Sequence, residues 1–113
     1  MKIKTAELTG RALDWAVMRV KAGKPLHTRS PFLVAAKYST EWECGGPIIE
    51  QEGISVAYID DNIADGAWFS STVGGDENAE GPTPLVAAMR CFCCAKLGEE
   101  VNIPEELCQS ENS

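Results

Sequence analysis

Ala12, Leu13, Ala16, Val17 and Val20 recur at helical spacing and give one continuous apolar face to a helix running from about residue 10 to 22. Thr9 stands where a capping residue belongs, and Gly23 with Pro25 beyond it supplies the stop. Trp15 falls roughly opposite Val17, off that face, which assigns it to a flanking loop or to the lining of a pocket. A second helix is written more clearly. In Gly81-Pro82-Thr83-Pro84-Leu85, Thr83 is the cap, Pro84 suits the first helical position with its fixed φ, and Gly98 ends a run over 84–97. Leu85, Val86, Met89, Phe92, Cys93 and Leu97 share one broad arc, while Ala87, Ala88, Cys91, Cys94 and Ala95 make much of the remainder small. A helix apolar on nearly every side is expected to be central and covered on two sides.

Shorter patterns fill the space between. Pro25 to Pro31 reads as a connector, and Phe32 to Ala36 as an apolar run too short to divide strand from helical turn. Tyr38 to Pro47 mixes aromatics with loop residues, and Ile48 to Glu52 makes one helical turn closed by Gly53. The best strand is Ile54 to Ile59, with Ile54, Val56 and Tyr58 on one face; Asp60-Asp61-Asn62 ends it, and Ala67 to Val73 returns. Gly74 to Gly81 reads as an exposed, mobile loop. Beyond Val101 come a Pro104-Glu105-Glu106-Leu107 turn and a fraying polar end. This order predicts an α+β fold: a small, mainly antiparallel sheet packed with two main helices, about 10–22 and 84–97. Residues 1–107 form the expected single domain, and 108–113 a polar C-terminal tail.

Charge narrows the partners. The 113 residues carry a net charge of −7, a poor match for nucleic acid, whose binding depends on neutralising phosphates. Arg19, Lys21, Lys24 and Arg29 cluster, and a solvated helix end accounts for them. No apolar run approaches the ~20 residues that span a bilayer, and Met1 to Glu7 lacks the apolar segment of a signal peptide. A cytoplasmic location, without membrane contact, is the expectation.

Candidate chemistry is sparse. Cys44, Cys91, Cys93, Cys94 and Cys108 are an odd set, read as reduced thiols. Cys91 and Cys94 form a C-x-x-C two turns inside a helix, away from the N-terminal position that activates such pairs, and no second paired spacing completes a zinc site. They read as small core residues. His27 is the one histidine, with nothing local to orient it toward Cys44 as a nucleophile pair. Asp60, Asp61, Asp65, Asp76 and Glu77 miss the spacing of a calcium loop and read as solvated acids. No nucleophile motif, phosphate loop or dinucleotide fingerprint is present, so neither cofactor nor metal is expected and the enzyme reading is the weakest.

Two stretches offer a ligand something. Gly45-Gly46-Pro47 would let backbone approach closely, with Tyr38, Trp42 and the off-face Trp15 available to stack on a planar group. The plainer account is a Gly-Gly chain reversal with the aromatics in a core. At the second helix start, backbone N–H groups, the Thr83 hydroxyl and Arg90 two turns along could meet a phosphate. The plainer account there is a cap plus a structural salt bridge. The candidate ligand-binding set is Trp15, Tyr38, Ser39, Trp42, Gly45, Gly46, Pro47, Thr83 and Arg90.

Three stretches in order carry a resemblance. They are Lys4-Thr5-Ala6-Glu7-Leu8-Thr9-Gly10 with Ala12 to Val17, Tyr38 to Trp42 with Gly45 to Glu50, and Gly81 to Leu85 with Ala87 to Cys91. Together they resemble the NinX-like family of temperate phages and prophages, small accessory proteins encoded among the lambdoid early genes. The resemblance runs from Lys4 to about Leu107. It implies a phage accessory protein and assigns it no reaction. By analogy with other phage accessory proteins, the expected function is non-catalytic: binding and sequestering a small nucleotide-derived host immune signal, as a homo-oligomer. The alternative is an acidic protein-interaction module that inhibits or adapts a host or phage enzyme.

Overall fold

The computed structural model describes residues 2–22, 37–59 and 67–103, and its elements are arranged around one helix near the C-terminal end. In chain order they are strand β1 (Lys2–Lys4), a 3-10 turn (Thr5–Glu7), helix α1 (Gly10–Ala22), helix α2 (Trp42–Glu52) and strands β2 (Ser55–Tyr58) and β3 (Trp68–Ser71). A second 3-10 turn (Val73–Gly75), strand β4 (Asn78–Gly81), helix α3 (Pro84–Leu97) and strand β5 (Glu100–Asn102) follow. Among the described residues the architecture is α+β with three helices and two small antiparallel sheets, β1-β5 and β2-β3-β4. The expected α1 and α3 are present at the residues the periodicity gave. The expected single sheet and pair of helices are corrected to two sheets and three helices.

α3 is the centre, as its all-round apolar composition requires. Every residue from Leu85 to Cys93 is buried, and the helix packs against α1, α2, both sheets and the first 3-10 turn. Its start is built as written: Thr83 is extended, its Oγ1 accepts the Val86 N–H at 3.1 Å, and Pro84 follows. Its end is tied to the N-terminus, where Thr5 Oγ1 donates to the Gly98 carbonyl at 2.7 Å and the Thr5 N–H to the Glu99 carbonyl at 2.8 Å. On the sheet side the Ser70 hydroxyl shares its proton between the carbonyls of Ala87 (2.6 Å) and Ala79 (3.1 Å). Lys96 and Glu52 form an ion pair at 3.4 Å, linking the last turns of α3 and α2.

Three expectations change. Cys44 to Pro47 is not loop: α2 begins at Trp42, runs through Gly45, Gly46 and Pro47, and closes on Gly53 in the left-handed conformation, φ 65°. The expected mobile loop over 74–81 contains a 3-10 turn and β4, which pairs with β3 in the register Trp68–Gly81 to Ser71–Asn78. Val101 and Ile103 belong to the core rather than to a tail, with Ile3 opposite Val101 across β1 and β5. Trp15 is also core, 6% exposed, so its placement off the apolar face reflects packing rather than pocket lining. The readings of 23–36 (His27 and the 32–36 run included), of Asp60, Asp61, Asn62 and Asp65, and of 104–113 with Cys108 lie outside the described residues.

Candidate functional site

α2 and the turn before it bring the second motif stretch against the start of α3. The turn is closed by the Glu41 N–H donating to the Lys37 carbonyl at 2.9 Å, and it is anchored beneath by the Ser39 N–H donating to Asp14 Oδ1 of α1 at 2.8 Å. Gly45 sits where a Cβ would run into the Tyr38 carbonyl oxygen and lie 2.8 Å from Leu85 Cδ2, so a missing side chain lets α2 close on both. The result is an open cleft of about 270 Å³. Ser39, Thr40 and Trp42 line one side of it, and Thr83, Pro84, Leu85 and Val86 the other. Trp42 is 57% exposed at its edge. Among the described lining residues none is charged.

The structure therefore joins Ser39, Trp42 and Thr83 from the sequence-predicted set. Gly45 does not line the cleft but lets α2 approach Tyr38 and Leu85, and a Cβ on Gly46 would lie 3.7 Å from the Trp42 ring. Tyr38 is half-buried against the core and contributes its carbonyl rather than its ring; burial first, then nearby Cys44 and Asp14, push its phenol pKa up. Pro47 is exposed further along α2. Trp15 is in the core, and its indole N–H has no partner among the described residues. Arg90 does not reach the cleft. Its Nε donates to the Leu8 carbonyl at 2.7 Å and its Nη1 to the Glu80 carbonyl at 2.8 Å, with the residue 4% exposed. The expected anion role for Arg90 is corrected accordingly: the side chain clamps backbone. Thr40, Pro84, Leu85 and Val86 were not singled out as ligand contacts, although the Pro-Thr-Pro-Leu run was the available signal.

The electrostatics of the cleft are set from beneath. Burial pushes the Asp14 carboxyl above its ordinary 3.8, against the Ser39 hydrogen bonding and nearby Lys37, which pull it down. The Ser39 hydroxyl lies near enough to favour the ionised carboxylate, yet it makes no well-directed hydrogen bond among the described residues. A buried polar group left so costs about 1–3 kcal/mol. Because the folded state holds the Asp14 proton more tightly than the unfolded chain, the stabilisation from this group is complete below about pH 3.8 and is lost as pH rises through the raised folded pKa. Asp14→Asn keeps an acceptor for the Ser39 N–H and removes that titration. The unfolding free energy of the variant relative to wild type, from urea melts, is expected to rise as pH rises above the ordinary carboxyl value and to level once the folded-state carboxyl has ionised. A difference independent of pH contradicts the assignment.

The described cysteines of α3 are packing residues. Burial raises the thiol pKa of Cys91 and, further, of Cys93, and it takes Cys94 up to about 11 with help from Glu77. Such thiols stay protonated near neutrality and are poor nucleophiles. Iodoacetamide on the folded protein at neutral pH is expected to leave Cys91 and Cys93 unmodified by peptide mapping, and unfolding to expose both. Rapid labelling of Cys93 in the folded state would overturn that packing. Among the described residues no three His, Cys, Asp or Glu side chains converge to hold a metal. None of the described helices is long and apolar enough to cross a membrane. A second groove, about 510 Å³, lies at the other end of α3 between Lys4, Glu77, Asn78, Cys94 and Glu100. It contains none of the sequence-predicted site residues, and its carboxylates oppose an anionic ligand.

The described residues thus form a small α+β domain with an open, uncharged and largely apolar cleft where the Ser39–Trp42 turn meets the start of α3. The chain belongs to the bacteriophage P22 NinX family, whose sequence model matches residues 4–96. That span contains all three motif stretches. No curated protein matches the chain.

Proposed function

We propose that this phage accessory protein acts by binding rather than catalysis, sequestering a small nucleotide-derived host immune signal whose planar ring stacks on Trp42. The carrying observation is the meeting of two stretches some forty residues apart in sequence, Ser39 to Trp42 and Thr83 to Val86, at one cleft. A tryptophan 57% exposed at such an edge offers a π-face, and ring stacking tolerates many bases. With Arg90 committed to backbone carbonyls, any phosphates of the ligand remain in solvent. The anti-defence role is the analogy with phage accessory proteins, placed inside the host cell, and self-association as a homo-oligomer goes with it.

Isothermal titration against a panel of cyclic and ADP-ribose-type signals tests the proposal. At least one is expected to bind, and Trp42→Ala to weaken it by roughly 5- to 150-fold, the range that corresponds to about 1–3 kcal/mol per stacked base. Absence of binding across the panel sinks the reading. The interaction-module alternative has its own support in the exposed Trp42, Tyr58 and Val73 on a chain of net charge −7. Salt-sensitive capture of one host protein, lost with Trp42→Ala, would favour it instead.

A further inference from the structure

We infer that two copies of this chain pair antiparallel along the outer edge of β2, about a two-fold axis at Ala57, and join their sheets into one continuous sheet. This rests on the self-association in the proposed reading and gives it a surface. It stands apart from the cleft, none of whose described lining residues lies in β2. Among the described residues β1, β2, β4 and β5 are edge strands. β1 carries Lys2 and Lys4, β4 carries Glu80 and β5 carries Glu100, the kind of charge that keeps a strand edge from pairing with another chain. β2 carries no charge and no proline, and its Ser55, Ala57 and Tyr58 are exposed.

The hydrogen-bond phase shows what that edge offers. In an antiparallel ladder, successive residues turn their backbone groups toward one neighbour and then away from it. The Ile59 N–H donates to the Ala67 carbonyl at 2.9 Å, so by the register Ser55–Ser71 to Tyr58–Trp68 the backbone groups of Ser55 and Ala57 also face β3. Those of Val56 and Tyr58 face outward, where no backbone group of the described residues meets them. On the opposite edge of the same sheet the alternation turns Glu80 outward, and there Arg90 Nη1 donates to its carbonyl at 2.8 Å. One edge is closed by a side chain, and the other is left open.

A second copy suits that open edge because the edge is self-complementary. With Ala57 opposite Ala57 of the second copy, Val56 stands opposite Tyr58 in both directions. Both outward N–H groups and both outward carbonyls of each copy then find partners, which no antiparallel register centred on Val56 or Tyr58 achieves. Val56 against Tyr58 is a β-branched and aromatic pair of the kind that stabilises neighbouring strands. The Tyr58 ring is already held edge-on to Trp68, with centroids 5.3 Å apart, while 56% of the residue remains exposed. Ile59, 40% exposed, comes opposite Ser55. No residue from Ser55 to Ile59 is charged, so no like charges are set opposite one another although each copy carries −7.

Sedimentation equilibrium across the micromolar range tests this, with a charge swap at the axis. Wild type is expected to reach twice the 12.2 kDa of the chain. Ala57→Lys and Ala57→Glu each set like charges face to face and are expected to weaken self-association about ten-fold or more, while an equal mixture of the two recovers it. Far-ultraviolet circular dichroism checks that both variants fold. If either does not, Ala57→Cys decides: its Cα separation across the axis, about 4.5 Å, is within disulfide reach, so oxidised glutathione is expected to give a covalent dimer joined at position 57 by peptide mapping. A dimer that persists in both charge variants, or a crosslink mapped elsewhere, leaves self-association standing and overturns the β2 edge. A monomeric wild type overturns both, and leaves the ligand titrations of the cleft to be judged on their own.

Discussion

Arg90→Met is expected to unfold the protein at a temperature lower by roughly 10 °C or more. The guanidinium reaches two carbonyls from α3, the buried one of Leu8 before α1 at 2.7 Å and the part-buried one of Glu80 in β4 at 2.8 Å. It thereby holds three parts of the chain in register. Methionine preserves much of the aliphatic stem packing but leaves both carbonyls without this donor, at about 1–3 kcal/mol each. A domain near this size loses on the order of 4 °C per kcal/mol. Arg90→Lys is expected to recover less than half of the loss, because one ammonium cannot fork to two acceptors as the planar guanidinium does. Thermal melts followed by far-ultraviolet circular dichroism read both variants. A ligand-binding arginine would behave oppositely, with the melt unchanged and affinity lost.

The paired glycines of α2 give the second large effect, and it has two signs. Gly45→Ala puts a methyl group into the Tyr38 carbonyl and 2.8 Å from Leu85 Cδ2. The carbonyl is backbone and cannot swing away, so the turn must move; overpacking of this kind costs typically 1–3 kcal/mol. Because α2 is levered off α3, the same variant is expected to widen the cleft and lose ligand. Gly46→Ala meets only the Trp42 ring, at an ordinary 3.7 Å, and gains the helix propensity of alanine over glycine, about 1 kcal/mol. A melt that falls for Gly45→Ala and rises for Gly46→Ala confirms the helix through both residues. Equal tolerance of both would restore the Gly-Gly loop.

That contrast shows why part of the fold was legible in the sequence and part was not. α1 and α3 announce themselves because their apolar residues recur over three turns or more and Thr83, Pro84 and Gly98 mark an end. α2 hides because Gly45, Gly46 and Pro47 are poor helix residues; Pro47 also lacks the N–H that would bond Glu43. Tertiary contact overrides that propensity: the helix closes on Tyr38 and Leu85 only because glycine is there. β4 alternates in burial, but its inward residues are Ala79 and Gly81, too small to print a hydrophobic period. β1 and β5 are three residues each, with one apolar residue apiece in Ile3 and Val101. For the cleft, Trp42 is marked in the sequence as an aromatic beside the paired glycines and Thr83 as a helix cap, Ser39 comes with the motif stretch, and the fold joins the three. It misjudged Arg90 because the carbonyls that hold it, Leu8 and Glu80, are distant or backbone groups with no side-chain signature.

The central claim is that the Ser39–Trp42 turn and the start of α3 form a ligand site, and a two-dimensional 1H–15N spectrum tests it most directly. On addition of the members of the cyclic and ADP-ribose-type signal panel in turn, at least one is expected to shift the Trp42 indole and the amides of Ser39, Thr40 and Leu85, with the Cys94 and Glu100 amides at the far groove unmoved. Shifts gathered at the far groove, or an unchanged spectrum across the signal panel, would contradict the site.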